Sequence, residues 1–164
     1  MPRIHGTPAV SWWNGSNPAS GPVGTSNIWV GHDIDFDVPG RVMGFAMYRT
    51  ANDIHDHWAL LWNENAAPLV VKLFWALTAW PSLGWQNAHI FRSPIRVTVG
   101  ANWHFAVNFP GGGYYRTVGA LTNSVRHNHI NFQRGFTNTG WDPPNGGNTT
   151  DTNAKGIDIL FQPD

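Results

Sequence analysis

From Asn27 onward the chain is written in short runs that alternate apolar and polar residues, the period-two pattern of a strand with one buried face. Asp33, Asp35 and Asp37 alternate with Ile34, Phe36 and Val38, which predicts a strand with three carboxylates on one side and three apolar side chains on the other. Pro39-Gly40 reads as a turn. Arg41 to Tyr48 follows as the next strand, with Val42, Gly44, Ala46 and Tyr48 on one face and Met43, Phe45 and Met47 on the other. Further strands are expected at Trp58 to Trp62, Leu69 to Trp75, Gln86 to Phe91, Ile95 to Val99, Trp103 to Phe109, Ile130 to Phe132 and Ile157 to Phe161. Turns at "NENAAP", "PSLG", "RSP", "VGAN" and "PGGG" separate them, and a long polar stretch, "FTNTGWDPPNGGNTTDTNAKG", precedes the last. Leu69 to Trp80 has helical length, but its Val, Trp and Phe content and the closing Pro81 favour a strand followed by an irregular excursion. With no βαβ pattern, the succession predicts an all-β fold, an antiparallel β-sandwich of jelly-roll type.

Residues 1 to 26 break this pattern. Pro2, Pro8, Pro18 and Pro22 interleave with Gly6, Gly15, Gly21 and Gly24, which predicts an extended N-terminal arm ahead of a sandwich domain over residues 27 to 164. Trp12 and Trp13 stand inside the arm. Adjacent indoles gain nothing in solvent, so they are expected either to pack on their own domain or to fix the arm to a partner, a second copy or a larger protein shell.

Composition narrows the classes. The 164 residues carry ten Lys plus Arg against ten Asp plus Glu, and the eight Arg and two Lys are scattered singly, which speaks against a nucleic-acid binder. Only 12% of residues are charged while 41% are apolar, with ten Trp and nine Phe, so a packed core is expected under a neutral, Asn-rich surface. The absence of Cys excludes disulfides, zinc thiolates and thiol nucleophiles. The start of the sequence reads as lacking a Sec export signal, and the longest apolar run, "APLVVKLFWALTAW", is too short to span a bilayer, so no membrane insertion is expected.

Several groupings carry chemical potential. The carboxylates of Asp33, Asp35 and Asp37, with Cβ atoms about 7 Å apart along a strand, offer either a solvated sheet face or a Ca²⁺ site completed by a loop oxygen. His55 with His57 and His127 with His129 form two His-x-His units, which would supply a metal site if they met across the sheet. Glu64 is the single Glu, and no serine sits in a nucleophile-elbow context. "PGGGYY" lacks the residues of a phosphate loop, so the chain reads as non-enzymatic. Aromatic rings beside amides suit saccharides, since the ring takes the apolar face of a sugar and the amide takes its hydroxyls. The positions that fit are Trp141 with Asp142, Tyr114, Tyr115, Trp85 and Asn108, with Trp80 as a further loop indole.

From Asp33 onward the sequence resembles a bacterial family, domain of unknown function 4082. "FDVPGRVMGFAMYR" is similar to its opening strand, turn and strand; His57 and Trp62, Gly84-Trp85-Gln86, "FRSPIRVTVGANWHFAVNFPGGGYY" and the closing "GIDILF" continue the likeness over roughly residues 33 to 164. The excursion "ALTAWPSL", the Trp58 after His57 and the Trp-bearing arm depart from it. The family occurs in multidomain, often secreted and sugar-associated proteins, and the resemblance implies a jelly-roll-like binding or adhesive module with no catalytic residue to carry over. Two functional expectations follow. One is a bacteriophage virion component, a head-decoration or tail-associated protein docked through its arm and presenting the sandwich outward. The other is a carbohydrate-binding module acting on a cell-surface glycan, outside the cell by a non-Sec route.

Overall fold

The computed structural model describes residues 8–24, 27–51, 53–63, 70–74, 83–86, 89–139 and 149–164. All regular structure among them is β: β1 (Val10–Ser11), β2 (Ser20–Val23), β3 (Ile28–Phe36), β4 (Gly40–Arg49), β5 (His57–Asn63), β6 (Val70–Phe74), β7 (Gly84–Trp85), β8 (His89–Val97), β9 (Trp103–Phe109), β10 (Tyr114–Thr117), β11 (Val125–His127), β12 (Ile130–Thr139), β13 (Thr149–Asp151), β14 (Ala154–Lys155) and β15 (Ile157–Pro163). Every pairing is antiparallel. One sheet runs β11-β12-β3-β9-β5-β6, with β13 also on β12. A second runs β1-β15-β4, with β7 and β8 both on β4, and a small third sheet runs β14-β10-β2.

The two larger sheets enclose the core in a sandwich-like arrangement. Val30, Ile34 and Phe36 of β3 and Phe105 and Val107 of β9 meet Phe45 and Met47 of β4 and Ile157, Ile159 and Phe161 of β15. Ring pairs bridge the gap, Phe36 on Phe161 and Phe45 on Phe105, each with centroids 4.6 Å apart. Such tilted aromatic contacts add about 0.5–1.5 kcal/mol beyond the area they bury.

Two β-bulges overturn the simple alternation. In β4 the register shifts between Val42 and Gly44, so Val42, Phe45 and Met47 all reach the same core, whereas strict alternation placed Val42 opposite the other two. In β12 the shift falls between Phe132 and Arg134. Phe132 therefore enters the main core, while Phe136 joins Trp29, Leu60, Trp62 and Ala106 in a second buried cluster on the other side of the same sheet. Gly31 makes room for it: a Cβ there would lie 2.2 Å from Phe136 Cζ and 2.6 Å from the Phe105 carbonyl oxygen.

Residues 8–24 are a strap on the domain, which corrects the expectation of an extended arm free to reach a neighbour. β1 pairs with β15 and β2 with β10. Between them Trp13-Asn14-Gly15-Ser16 closes with a Ser16 N–H to Trp13 carbonyl bond of 2.8 Å. Positive φ at Asn14 and Gly15 marks a type I′ turn, the geometry that Asn-Gly favours. Trp12 and Trp13 are only 5% and 6% exposed, so of the alternatives open to them their own domain has taken both. Other boundaries moved too. "RSP" lies inside β8 instead of forming a turn, and β12 runs on to Thr139.

Candidate functional site

The strap is anchored by a buried carboxylate. Asp158 on β15 accepts the backbone N–H groups of Trp12 at 3.0 Å and Trp13 at 3.1 Å, as well as that of Ile159 at 2.9 Å. Burial raises its pKa to about 6, outweighing the hydrogen bonds that favour the ionised form. Both indoles are also tied by their ring nitrogens: Trp12 Nε1 donates to the Val125 carbonyl, and Trp13 Nε1 donates to the Lys155 and Ile157 carbonyls. Trp12 sits within a column of rings. His127 stacks on one face, with centroids 4.9 Å apart, and Phe132 on the other, which in turn stacks on His32. Burial pushes the His32 imidazole down to about 3, so the ring is neutral, and its Nε2 accepts the Lys155 N–H.

A pocket of about 180 Å³ opens beside this column. Trp12, Trp13 and Ser16 of the strap, Thr117 at the end of β10, Ala120 of the segment after it, His127 of β11 and the buried Ala154 line it. His127 Nδ1 lies 3.1 Å from the Trp12 carbonyl oxygen. That oxygen only accepts, so Nδ1 carries the hydrogen, and in the neutral imidazole Nε2 is then the acceptor. Thr117 Oγ1 accepts from the Ala19 N–H, leaving its own hydrogen to donate. Among the described residues the lining has indole, hydroxyl and imidazole groups but neither carboxylate nor ammonium.

Of the aspartates predicted for one strand face, Asp33 and Asp35 lie on β3 while Asp37 falls just past its end, and each is paired with an arginine. Asp33 is buried between His104, at 2.7 Å, and the Arg134 guanidinium. Desolvation raises its carboxyl pKa, but the bonds from His104 and Arg134 outweigh this and hold it below the usual range. Asp35 accepts from Arg126, Asn131 and Gln133, and Asp37 pairs with His129 and Arg126. Among the described residues no group of three His, Cys, Asp or Glu side chains converges on a metal position.

The His-x-His units are not brought together. His57 lies on β5 and His127 on β11, at opposite ends of a run of five strands and so on the order of 20 Å apart. Nor does either unit share a face in a strand: His55 precedes β5, and His129 occupies a turn with φ of 72°. Their roles are local. His57 is buried, with Nδ1 2.8 Å from the Asn108 carbonyl oxygen and Nε2 2.9 Å from Asp53. Asp53 also takes the guanidinium of fully buried Arg49, which bonds Gln86 and the Asp53 and His55 carbonyls as well. Desolvation works against the Asp53 carboxylate, yet His57 and Arg49 hold its pKa well below normal. This network welds the end of β4 to β5.

The predicted saccharide residues are dispersed. Trp141 and Asp142, like Trp80 and Glu64, lie outside the described residues. Tyr114 is 4% exposed and Asn108 1%, so these two are core positions and not a rim. Tyr115 is half-buried against Tyr48, and Trp85 packs on Trp13 while donating to the Ser16 carbonyl. Sequence reasoning missed Asp158, Asp53 and Arg49, whose neighbours in sequence give no sign of their partners. It also missed that the strap's indoles face the pocket.

No helix among the described residues is long and apolar enough to cross a membrane. A family described as a domain of unknown function, DUF4082, matches residues 16–155. No curated protein matches the sequence.

Proposed function

The chain belongs to the DUF4082 family, and from that premise we propose that it is a non-catalytic binding module that takes a saccharide in the pocket beside Trp12 and Trp13. The observation that carries this reading is the pocket itself, about 180 Å³ with a neutral lining of indole edges, hydroxyls and one imidazole acceptor. A neutral ligand with both apolar and hydroxyl or amide groups matches such a lining, whereas an ionic one would leave its charge unpaired. Three carboxylates among the described residues are in keeping with a non-enzymatic role: Asp33, Asp35 and Asp53 are each held by cationic or amide partners, in pairs that knit the fold together.

A place on a bacteriophage particle, as a head-decoration or tail-associated component in a larger shell, is a narrower reading. It leaned on an arm able to reach a neighbouring subunit, and with Trp12 and Trp13 enclosed by the chain's own strands that support is withdrawn. A glycan ligand implies work at a cell surface or outside the cell. Isothermal titration against a panel of monosaccharides tests the reading: heat saturable at one site per chain is expected, and no saccharide bound at millimolar concentration would overturn it.

A further inference from the structure

Resting on that reading, we propose that the pocket receives the acetamido group of an N-acetylated hexosamine, methyl inward, and does not stack the face of a sugar ring. Ring stacking needs an open aromatic face, and Trp12 has none: His127 covers one side, 21° from parallel, and Phe132 covers the other, 5° from parallel. Trp13 meets Trp12 edge-on at 80° and is packed by Trp85. With each indole about 5–6% exposed, what reaches the pocket is an edge of each. Indole edges carry the positive end of the ring quadrupole and attract a carbonyl oxygen more than the C–H face of a sugar.

Size points the same way. At about 180 Å³ the pocket is smaller than the roughly 300 Å³ lower bound for sites that enclose a whole drug-sized ligand. It suits a substituent, with the sugar ring outside. The methyl groups of Ala120 and Ala154 offer an apolar seat for an acetyl methyl. His127 Nε2, left as an acceptor by the bond from Nδ1 to the Trp12 carbonyl, matches the acetamide N–H. Ser16 and the donating hydroxyl of Thr117 match the acetamide oxygen. A free amine would enter as an ammonium with no carboxylate in the lining to meet it.

The test is titration of the full chain, followed by tryptophan fluorescence, with N-acetylglucosamine, N-acetylgalactosamine, glucose and glucosamine. An acetamido sugar is expected to bind about tenfold or more tightly than glucose, the discrimination an apolar pocket gives for a small missing group, with glucosamine weakest. Ala120→Leu, which fills the pocket, is expected to remove the acetamido preference. His127→Phe keeps a ring on Trp12 but deletes the acceptor, so it is expected to weaken the acetamido sugars alone; it also serves should Ala120→Leu fail to fold. Equal binding of glucose and N-acetylglucosamine, or an unchanged preference in both variants, overturns the acetamido assignment while leaving a saccharide site. No binding of any sugar in the wider monosaccharide panel overturns the module reading with it.

Discussion

The indole of Trp12 lies flat on the phenyl ring of Phe132, with centroids 4.4 Å apart and planes within 5° of parallel. A residue of the strap thus completes the core beneath β12, and the column His127, Trp12, Phe132, His32 runs from an exposed ring to a fully buried one. The strap is therefore part of the folded unit. Trp12→Ala should cost about 3–5 kcal/mol in urea unfolding through lost burial and a cavity. Trp58, 44% exposed, should lose less than about 1 kcal/mol on the same change. Equal losses would mean that the strap adds nothing to the core.

Gly31 is set by close approach of Phe136. Gly31→Ala should destabilise by about 1–3 kcal/mol through overpacking, since its Cβ would strike both a ring and a backbone carbonyl. Trimming the ring with Phe136→Leu should recover part of that loss. A double-mutant cycle measures the coupling, and strict additivity would show that the contact is not the source.

Asp158 should link strap docking to pH in the opposite sense from the other buried carboxylates. Its folded pKa, about 6, lies above the unfolded value, so the folded state holds the extra proton between about pH 4 and 6. Its contribution to stability then falls as pH rises through that window, by roughly 3 kcal/mol at most, and is level above it. Asp33 and Asp53, with lowered values, lose stability as pH falls instead. The stability difference between the protein and Asp158→Asn, measured against pH in urea, isolates the term. A difference that stays flat from pH 4 to 7 would contradict it.

Arg49 makes a fork of bonds that no other side chain reproduces. Arg49→Lys should be strongly destabilising, because the ammonium cannot serve Asp53, Gln86 and two backbone carbonyls at once. Arg49→Ala should cost about 3–5 kcal/mol by leaving the Asp53 carboxylate buried without its guanidinium. Thermal melts of the two variants check both, and a melting temperature unchanged in either would remove the network from the account of stability.

His129 holds a left-handed backbone conformation in the turn between β11 and β12, where glycine is favoured. His129→Gly should relieve that strain by up to about 1 kcal/mol while forfeiting an exposed bond to Asp37 that is worth less. A small rise in the urea midpoint is expected, and a fall of more than about 1 kcal/mol would show that the ion pair dominates.

How much was legible in the sequence depends on the range of the forces involved. The alternation from Asp33 to Phe36, the run Trp103 to Phe109, matched residue for residue by β9, and Pro39, in the short turn before β4, report only on neighbours along the chain. Period-two burial and turn chemistry are local, so they decided the all-β class and most strand positions. The bulges in β4 and β12 are not local. An extra residue in one strand is accommodated by its partner, and this is what sent Phe45 to the side of Val42 and Phe136 to the far side from Phe132. The same holds for the strap and its pocket. Proline and glycine mark residues 1 to 26 as an extended arm without saying what it packs on, because the carboxylate that holds Trp12 lies 146 positions away and the ring that stacks on it lies in β12. A polypeptide's own propensities determine which segments are extended, whereas which buried donor finds which acceptor, and which hollow remains between them, is decided only when distant strands close on one another.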